Sequence, residues 1–263
     1  MTRAFIASLL VLVCACGGGS STAPSPSSSV QPPTITTANT MIYVGQTVQF
    51  AATGGGTIRW GTDAPGVATV DVPSGRVTGA GTGRATIWAE NEGGRTTRGL
   101  RGLPSYAGNW EGTYAISGCQ ATGDFLLIRF CTDFFSQGEA LNIGLQMSQT
   151  DDRVSGAFAF GDLIGALNSA TVSDAGQLPL TGQYTDADGS ISLQNARWES
   201  PSPGTITGTF DQSWSVAGAS GFGILSCEIR NVTRTSGGPT LSQRPSATGR
   251  MSLAEMIRRA RRK

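Results

Sequence analysis

The sequence contains no histidine. That absence excludes Ser-His-Asp and Cys-His catalysis, imidazole acid–base chemistry and every His-ligated metal. Its one lysine is Lys263, so no buried amine is at hand to act as nucleophile or Schiff-base partner. No G-x-S-x-G elbow is present to present a nucleophilic serine. Charged residues are 14% of the chain and hydrophobic residues 38%, too little charge and too much apolar content for a wholly disordered polypeptide. Beyond the first residues no apolar run is long enough to cross a bilayer as a helix. No motif demands a cofactor. What the chain does have is glycine, 37 residues of it, spread over 263 positions that can hold two ordinary domains.

The first apolar run, Ala4 to Val13, follows Arg3 and is too short for a membrane span, so it reads as the apolar region of a signal peptide. The next residues, Val13-Cys14-Ala15-Cys16-Gly17, resemble a bacterial lipoprotein signal. An aliphatic Val13 and a small Ala15 precede Cys16, although Cys14 stands where that family usually has a small residue. The resemblance implies removal of residues 1–15 and lipidation of Cys16, which would anchor the chain in a bacterial cell envelope. Gly17 is not the Asp that often retains such proteins at the inner membrane, which favours the outer membrane. An ordinary signal peptide is the alternative. Residues 16–38, rich in Gly, Ser, Pro and Thr, read as a flexible linker.

Over residues 39–104 short period-2 segments alternate with Gly, Pro, Asp and Ser turns, the pattern of a β-sandwich. Val48, Phe50 and Ala52 share a face, as do Ala68, Val70 and Val72, and then Ala85, Ile87 and Ala89. The ordered words Val44-Gly45-Gln46-Thr47-Val48, Ile58-Arg59-Trp60, Val67-Ala68-Thr69-Val70, Ser74-Gly75-Arg76-Val77-Thr78-Gly79 and Gly83-Arg84-Ala85-Thr86-Ile87 resemble the bacterial immunoglobulin-like group 2 (Big) family. The resemblance covers about residues 33–103 and implies an extracytoplasmic spacer or adhesion module with Trp60 in its core. The Gly79–Gly83 stretch is read as a tight strand connection, since no Lys and no helix follows it as a phosphate loop would require.

Residues 105–238 carry a different pattern. Val154-Ser155-Gly156-Ala157-Phe158, Leu180-Thr181-Gly182-Gln183-Tyr184 and Ile206-Thr207-Gly208-Thr209-Phe210 recur at one constant offset, long enough for two strands and two turns. Alternating strands separated by Asp/Gly and Pro/Gly turns predict an antiparallel meander, and closure into a barrel would remove its edges. The recurrent Gly would relieve crowding where strands bend, with the aromatic covering it. Gly108-Asn109-Trp110 resembles the opening of lipocalin-like barrels, which implies carriage of a small apolar ligand inside. The competing reading is that inward side chains simply fill the barrel. The expected fold is therefore all-β: an immunoglobulin-like sandwich, then a meander barrel, then a short C-terminal helix.

Cys119, Cys131 and Cys227 remain once Cys16 is assigned to lipid. In an oxidising compartment one disulfide and one free thiol result, with Cys119–Cys131 favoured and Cys227 able to pair with either. Residues 105–238 hold thirteen Asp or Glu against five Arg, whereas residues 239–263 hold six Arg and one Lys against one Glu. In that basic tail Ser252 and Glu255 form a capping box, and Leu253, Met256, Ile257 and Ala260 share a helical face. Arg258, Arg259, Arg261, Arg262 and Lys263 crowd its end. Docking on the acidic barrel is the leading reading; contact with anionic lipid or with another partner are the others. A nucleic-acid partner is not expected, as no such motif occurs.

Asp151-Asp152 and Asp186-x-Asp188 read as solvated turns, the second lacking the later Glu of a calcium loop. Glu111 and Glu199 are the remaining carboxylates that could face inward. Three functional readings follow. The first is a non-enzymatic, lipid-anchored envelope protein whose immunoglobulin-like module presents a barrel to a cell-surface protein or glycan. The second is a carrier of a small apolar ligand. The third and weakest is a carboxylate hydrolase.

Overall fold

A computed structural model describes residues 30–236 and 253–262. Cys14, Cys16, the capping Ser252 and Lys263 lie outside the described residues, as does the proposed signal.

Nine strands form the first unit: β1 (Thr34–Ile35), β2 (Met41–Tyr43), β3 (Thr47–Gln49), β4 (Ala52–Thr53), β5 (Arg59–Thr62), β6 (Ala68–Val70), β7 (Arg76–Gly79), β8 (Gly83–Asn91) and β9 (Gly94–Leu103). The order β2-β9-β8-β5 makes one sheet and β3-β7-β6 the other, with β1 and β4 a separate pair. β1 lies inside the stretch expected to be linker, so ordered structure starts before residue 39. Apolar residues from both sheets meet between them. Ala85, Ile87 and Ala89 project from β8, and Trp60 meets Phe50 edge-on at 6.3 Å between ring centroids. Val72 departs from the expected face and is 44% exposed. The alternation stops because β6 ends at Val70, and Asp71 opens a turn whose carbonyl accepts the Gly75 N–H at 2.9 Å.

Eight strands form the second unit: β10 (Gly108–Ala121), β11 (Ala140–Thr150), β12 (Arg153–Phe160), β13 (Leu163–Thr171), β14 (Gly182–Thr185), β15 (Gly189–Glu199), β16 (Thr205–Val216) and β17 (Gly223–Thr235). Each pairs antiparallel with the next, and β17 returns to β10, so the barrel is closed. The repeated glycines fall on β12, β14 and β16, so each repeat advances the chain by two strands. Gly208 shows why the residue recurs. Its φ is +133°, it sits at a shift in register, and a Cβ there would overlap the Arg197 carbonyl oxygen on β15. The Phe158 ring lies over Gly165 and Gly182 on the two following strands, the aromatic cover the pattern suggested.

Inward residues fill the barrel. Phe160 lies 5.5 Å from Tyr114, 4.8 Å from Phe158 and 5.7 Å from Phe210, and Trp198 meets Phe210 at 6.0 Å. The outward positions are polar: Asn142, Gln146 and Ser148 on β11, and Thr207, Thr209, Asp211 and Ser213 on β16. That wall suits water and is the inverse of a lipid-facing barrel. Among the described residues no helix is long and apolar enough to cross a membrane. Among the described residues the helical segments are α1 (Asp124–Leu127) and a π-helical turn over Phe130–Phe134, both after β10, and α2 (Leu253–Ala260) near the end.

Candidate functional site

The up-and-down order gives the barrel two chemically different ends. The proximal end, formed by the β11–β12 turn, the β13–β14 connection and the β15–β16 turn, meets the immunoglobulin-like unit. Arg101 on β9 is the centre of that junction. Its Nη1 donates to Asp152 at 2.7 Å and its Nη2 to the Val172 carbonyl at 2.6 Å, with Asp174 as a second carboxylate partner. Arg84 Nε reaches Asp174 at 2.7 Å, and the Tyr43 hydroxyl donates to the Asp151 carbonyl at 2.9 Å. The Arg84 guanidinium, with Arg101 beyond it, holds the Asp174 carboxyl below its ordinary pKa. Asp151 and Asp152 are thus not a merely solvated turn: one supplies a carbonyl and the other a half-buried carboxylate to the domain junction.

Just below the junction, the Tyr106 hydroxyl donates to the Gly176 carbonyl at 2.7 Å, and the Trp110 indole N–H donates to the Tyr106 carbonyl at 2.9 Å. Arg234 lies over the Trp110 ring at 4.8 Å and donates to the Ser105 carbonyl at 2.6 Å. A cleft of about 350 Å³ opens here between the two units, with Thr82, Gly176, Glu199, Ser202 and Arg234 among its walls. Glu199 is exposed and accepts from Gln177 Nε2 at 2.7 Å, while Glu111 faces outward on β10. These two carboxylates are not brought together, and they do not form the pair a hydrolase would need.

The distal end is built from the long β10–β11 excursion, the β12–β13, β14–β15 and β16–β17 turns, and α2. A disulfide joins Cys119 to Cys131 and closes the excursion that carries α1. Cys227 is a free, buried cysteine inside the barrel, and burial pushes its thiol up to about 12. Thr122 N–H donates to the Phe222 carbonyl at 2.9 Å, which ties the excursion to the β16–β17 turn. Leu126, Leu127 and Phe222 on these joined segments are 62%, 56% and 42% exposed. With Val72 they are the exposed large hydrophobics of the described residues, and three of the four lie on the two segments that the Thr122–Phe222 hydrogen bond ties together.

The basic helix docks at this same end. Ile257 is 1% exposed, and Leu253, Met256 and Ala260 pack against the barrel core. Arg261 Nε donates to Asp124 Oδ1 at 3.0 Å and its Nη1 to the Gly218 carbonyl at 2.7 Å. The Arg261 guanidinium, assisted by the Ser220 N–H and hydroxyl, holds the Asp124 carboxyl far below its ordinary pKa. Arg258 Nη2 lies 3.5 Å from Asp188 Oδ1. Arg258 and Arg259 also face Glu255 at 3.8 and 3.7 Å, and Arg262 Nε donates to the Arg258 carbonyl. Asp124 is the partner that sequence reasoning missed. It is a lone carboxylate at the start of α1, separated from Arg261 along the chain by most of the barrel, and no local pattern pairs them.

Between α2 and the barrel mouth lies a second pocket, of about 210 Å³. Ile191, Trp214, Leu163 and Leu253 give it apolar walls, and Tyr184, Asp186 and Asp188 stand at its lip. The Tyr184 hydroxyl donates to Asp186 Oδ2 at 2.6 Å, and this carboxylate contact pushes the phenol up to about 12. Asp186 Oδ1 accepts the Asp188 and Gly189 N–H groups at 2.8 and 3.0 Å, a turn in which the Asp side chain stands in for backbone. Among the described residues no group of His, Cys, Asp or Glu is arranged to hold a metal ion.

Residues 43–91 match the family described as Intimin, immunoglobulin-like domain. No curated protein matches the sequence. The first unit is a bacterial immunoglobulin-like domain.

Proposed function

We propose that this chain is a lipid-anchored bacterial envelope protein, non-enzymatic, in which the immunoglobulin-like domain acts as a pedestal and the barrel as the binding head. The observation that carries the reading is the exposure of Leu126, Leu127 and Phe222 on two segments tied together at the barrel end farthest from the immunoglobulin-like domain. A pedestal held to the proximal end by Arg101, Arg84 and Tyr43 leaves that apolar tip facing outward, toward a cell-surface protein. The filled interior supports action through surfaces. The likeness of residues 43–91 to an intimin domain supports placement at a bacterial surface. Cys16, within the outer-membrane lipoprotein reading, supplies the tether.

Two measurements test this. Cells making the full chain with labelled palmitate should yield a labelled, membrane-bound protein, and Cys16→Ala should lose label and membrane together. An unlabelled chain recovered in the soluble fraction would refute the anchor. A photocrosslinking residue at position 222 should capture one surface partner in intact cells, and Leu126→Ser/Leu127→Ser should abolish the adduct. An adduct unchanged by that pair of substitutions would refute the tip.

A second reading, carriage of a small ligand, is favoured by the 210 Å³ pocket under α2. On this reading the ligand sits at the distal mouth, because ring contacts occupy the interior below it.

A further inference from the structure

The distal-mouth pocket has a more definite chemistry than its size suggests. Its walls are mainly hydrocarbon and indole, from Ile191, Leu163, Leu253 and Trp214, with the Ser190 and Ser215 hydroxyls bonded to each other at 2.8 Å, whereas its lip carries two carboxylates. Asp186 is fixed in place by the Tyr184 hydroxyl and by two backbone N–H groups, so its charge is held at the lip in one orientation. Asp188 is half exposed, and the one contact shown for its carboxylate is Arg258, at the long distance of 3.5 Å. The lip therefore already draws a cation from the chain's own helix, yet holds it loosely. An apolar hole of this kind with negative charge at its rim complements a molecule that is apolar at one end and cationic at the other. Carboxylic acids and phosphates would meet the same rim as like charge.

We propose that this pocket binds a small organic ammonium ion, with its hydrocarbon part against Ile191 and Trp214 and its ammonium between Asp186 and Asp188. The inference rests on the ligand-carriage reading and adds the ligand class to it. Binding displaces the Arg258 contact and leaves Asp124–Arg261 in place, so α2 stays docked over the bound molecule.

The test compares three probes of nearly equal size on the full chain by calorimetry at pH 7 and low salt: 2-phenylethylammonium, 2-phenylethanol and 3-phenylpropanoate. The expected result is saturable one-to-one binding of the ammonium, at least tenfold tighter than the alcohol, with the carboxylate weakest. Asp188→Asn, a change at an exposed position, should erase most of that tenfold preference and leave the alcohol unaffected. Val216→Trp, which fills the pocket from the barrel wall, should abolish binding of all three. Equal binding of ammonium and alcohol by the native chain would overturn the cation assignment while leaving ligand carriage intact. Binding of none of the probes would overturn both. A preference that survives Asp188→Asn, or binding that survives Val216→Trp, would place the site elsewhere and overturn the proposal.

Discussion

Replacing Ile257 by Ala isolates what holds α2 to the barrel. Ile257 is 1% exposed and lies on the apolar face with Leu253, Met256 and Ala260. The substitution removes three buried carbon groups, worth about 0.8 kcal/mol each, or about 2.4 kcal/mol before any cavity cost. An eight-residue helix has little stability of its own, so the loss falls on docking and not on the barrel. At 1.4 kcal/mol per tenfold, the open population of α2 should rise about fifty-fold. Native-state hydrogen exchange reads this directly: amides of residues 257–262 should lose protection by that factor, while those of β10 and β17 keep theirs. The barrel's urea midpoint should hold. Unchanged α2 protection would show that apolar burial is not what docks the helix. A barrel that unfolds at lower urea together with α2 would show the helix to be part of the global folding unit, and the reasoning would fail there.

Three further outcomes are expected. Asp124 has a pKa depressed by Arg261 in the folded state, so its contribution is complete above its unfolded value of 3.8 and is lost as pH falls from there toward the lower folded value. α2 should thus remain protected at pH 5 and loosen only below about pH 4, and Asp124→Asn should abolish that acid response. Cys119→Ala/Cys131→Ala opens a loop spanning a sequence separation of 12, and should cost about 3 kcal/mol in urea unfolding by the chain-entropy argument. Cys227, buried and with its thiol pushed up to about 12, should resist iodoacetamide in the native protein and react fully in denaturant.

The all-β character was legible because a strand repeats every two residues, and Ala85, Ile87 and Ala89 declare a buried face without any knowledge of the partner sheet. The Gly-x-aromatic repeat likewise announced strands advancing in pairs, since Gly208 answers a backbone clash that recurs wherever the closing sheet bends. The apolar stripe of α2 was also local, four residues at helical spacing. What lay beyond the sequence were contacts between residues remote along the chain. Asp152 looks like a turn residue until the barrel is set against β9 and Arg101 reaches it. Asp124 looks like an isolated carboxylate until closure and the return of α2 bring Arg261 to its side. Leu126, Leu127 and Phe222 look like scattered apolar residues until the excursion pairs with the β16–β17 turn and leaves them exposed at the same end of the barrel. Periodicity is a property of neighbours along the chain and can be read there. Electrostatic partnership and surface clustering depend on distances in space, and those came into being only when the eighth barrel strand met the first.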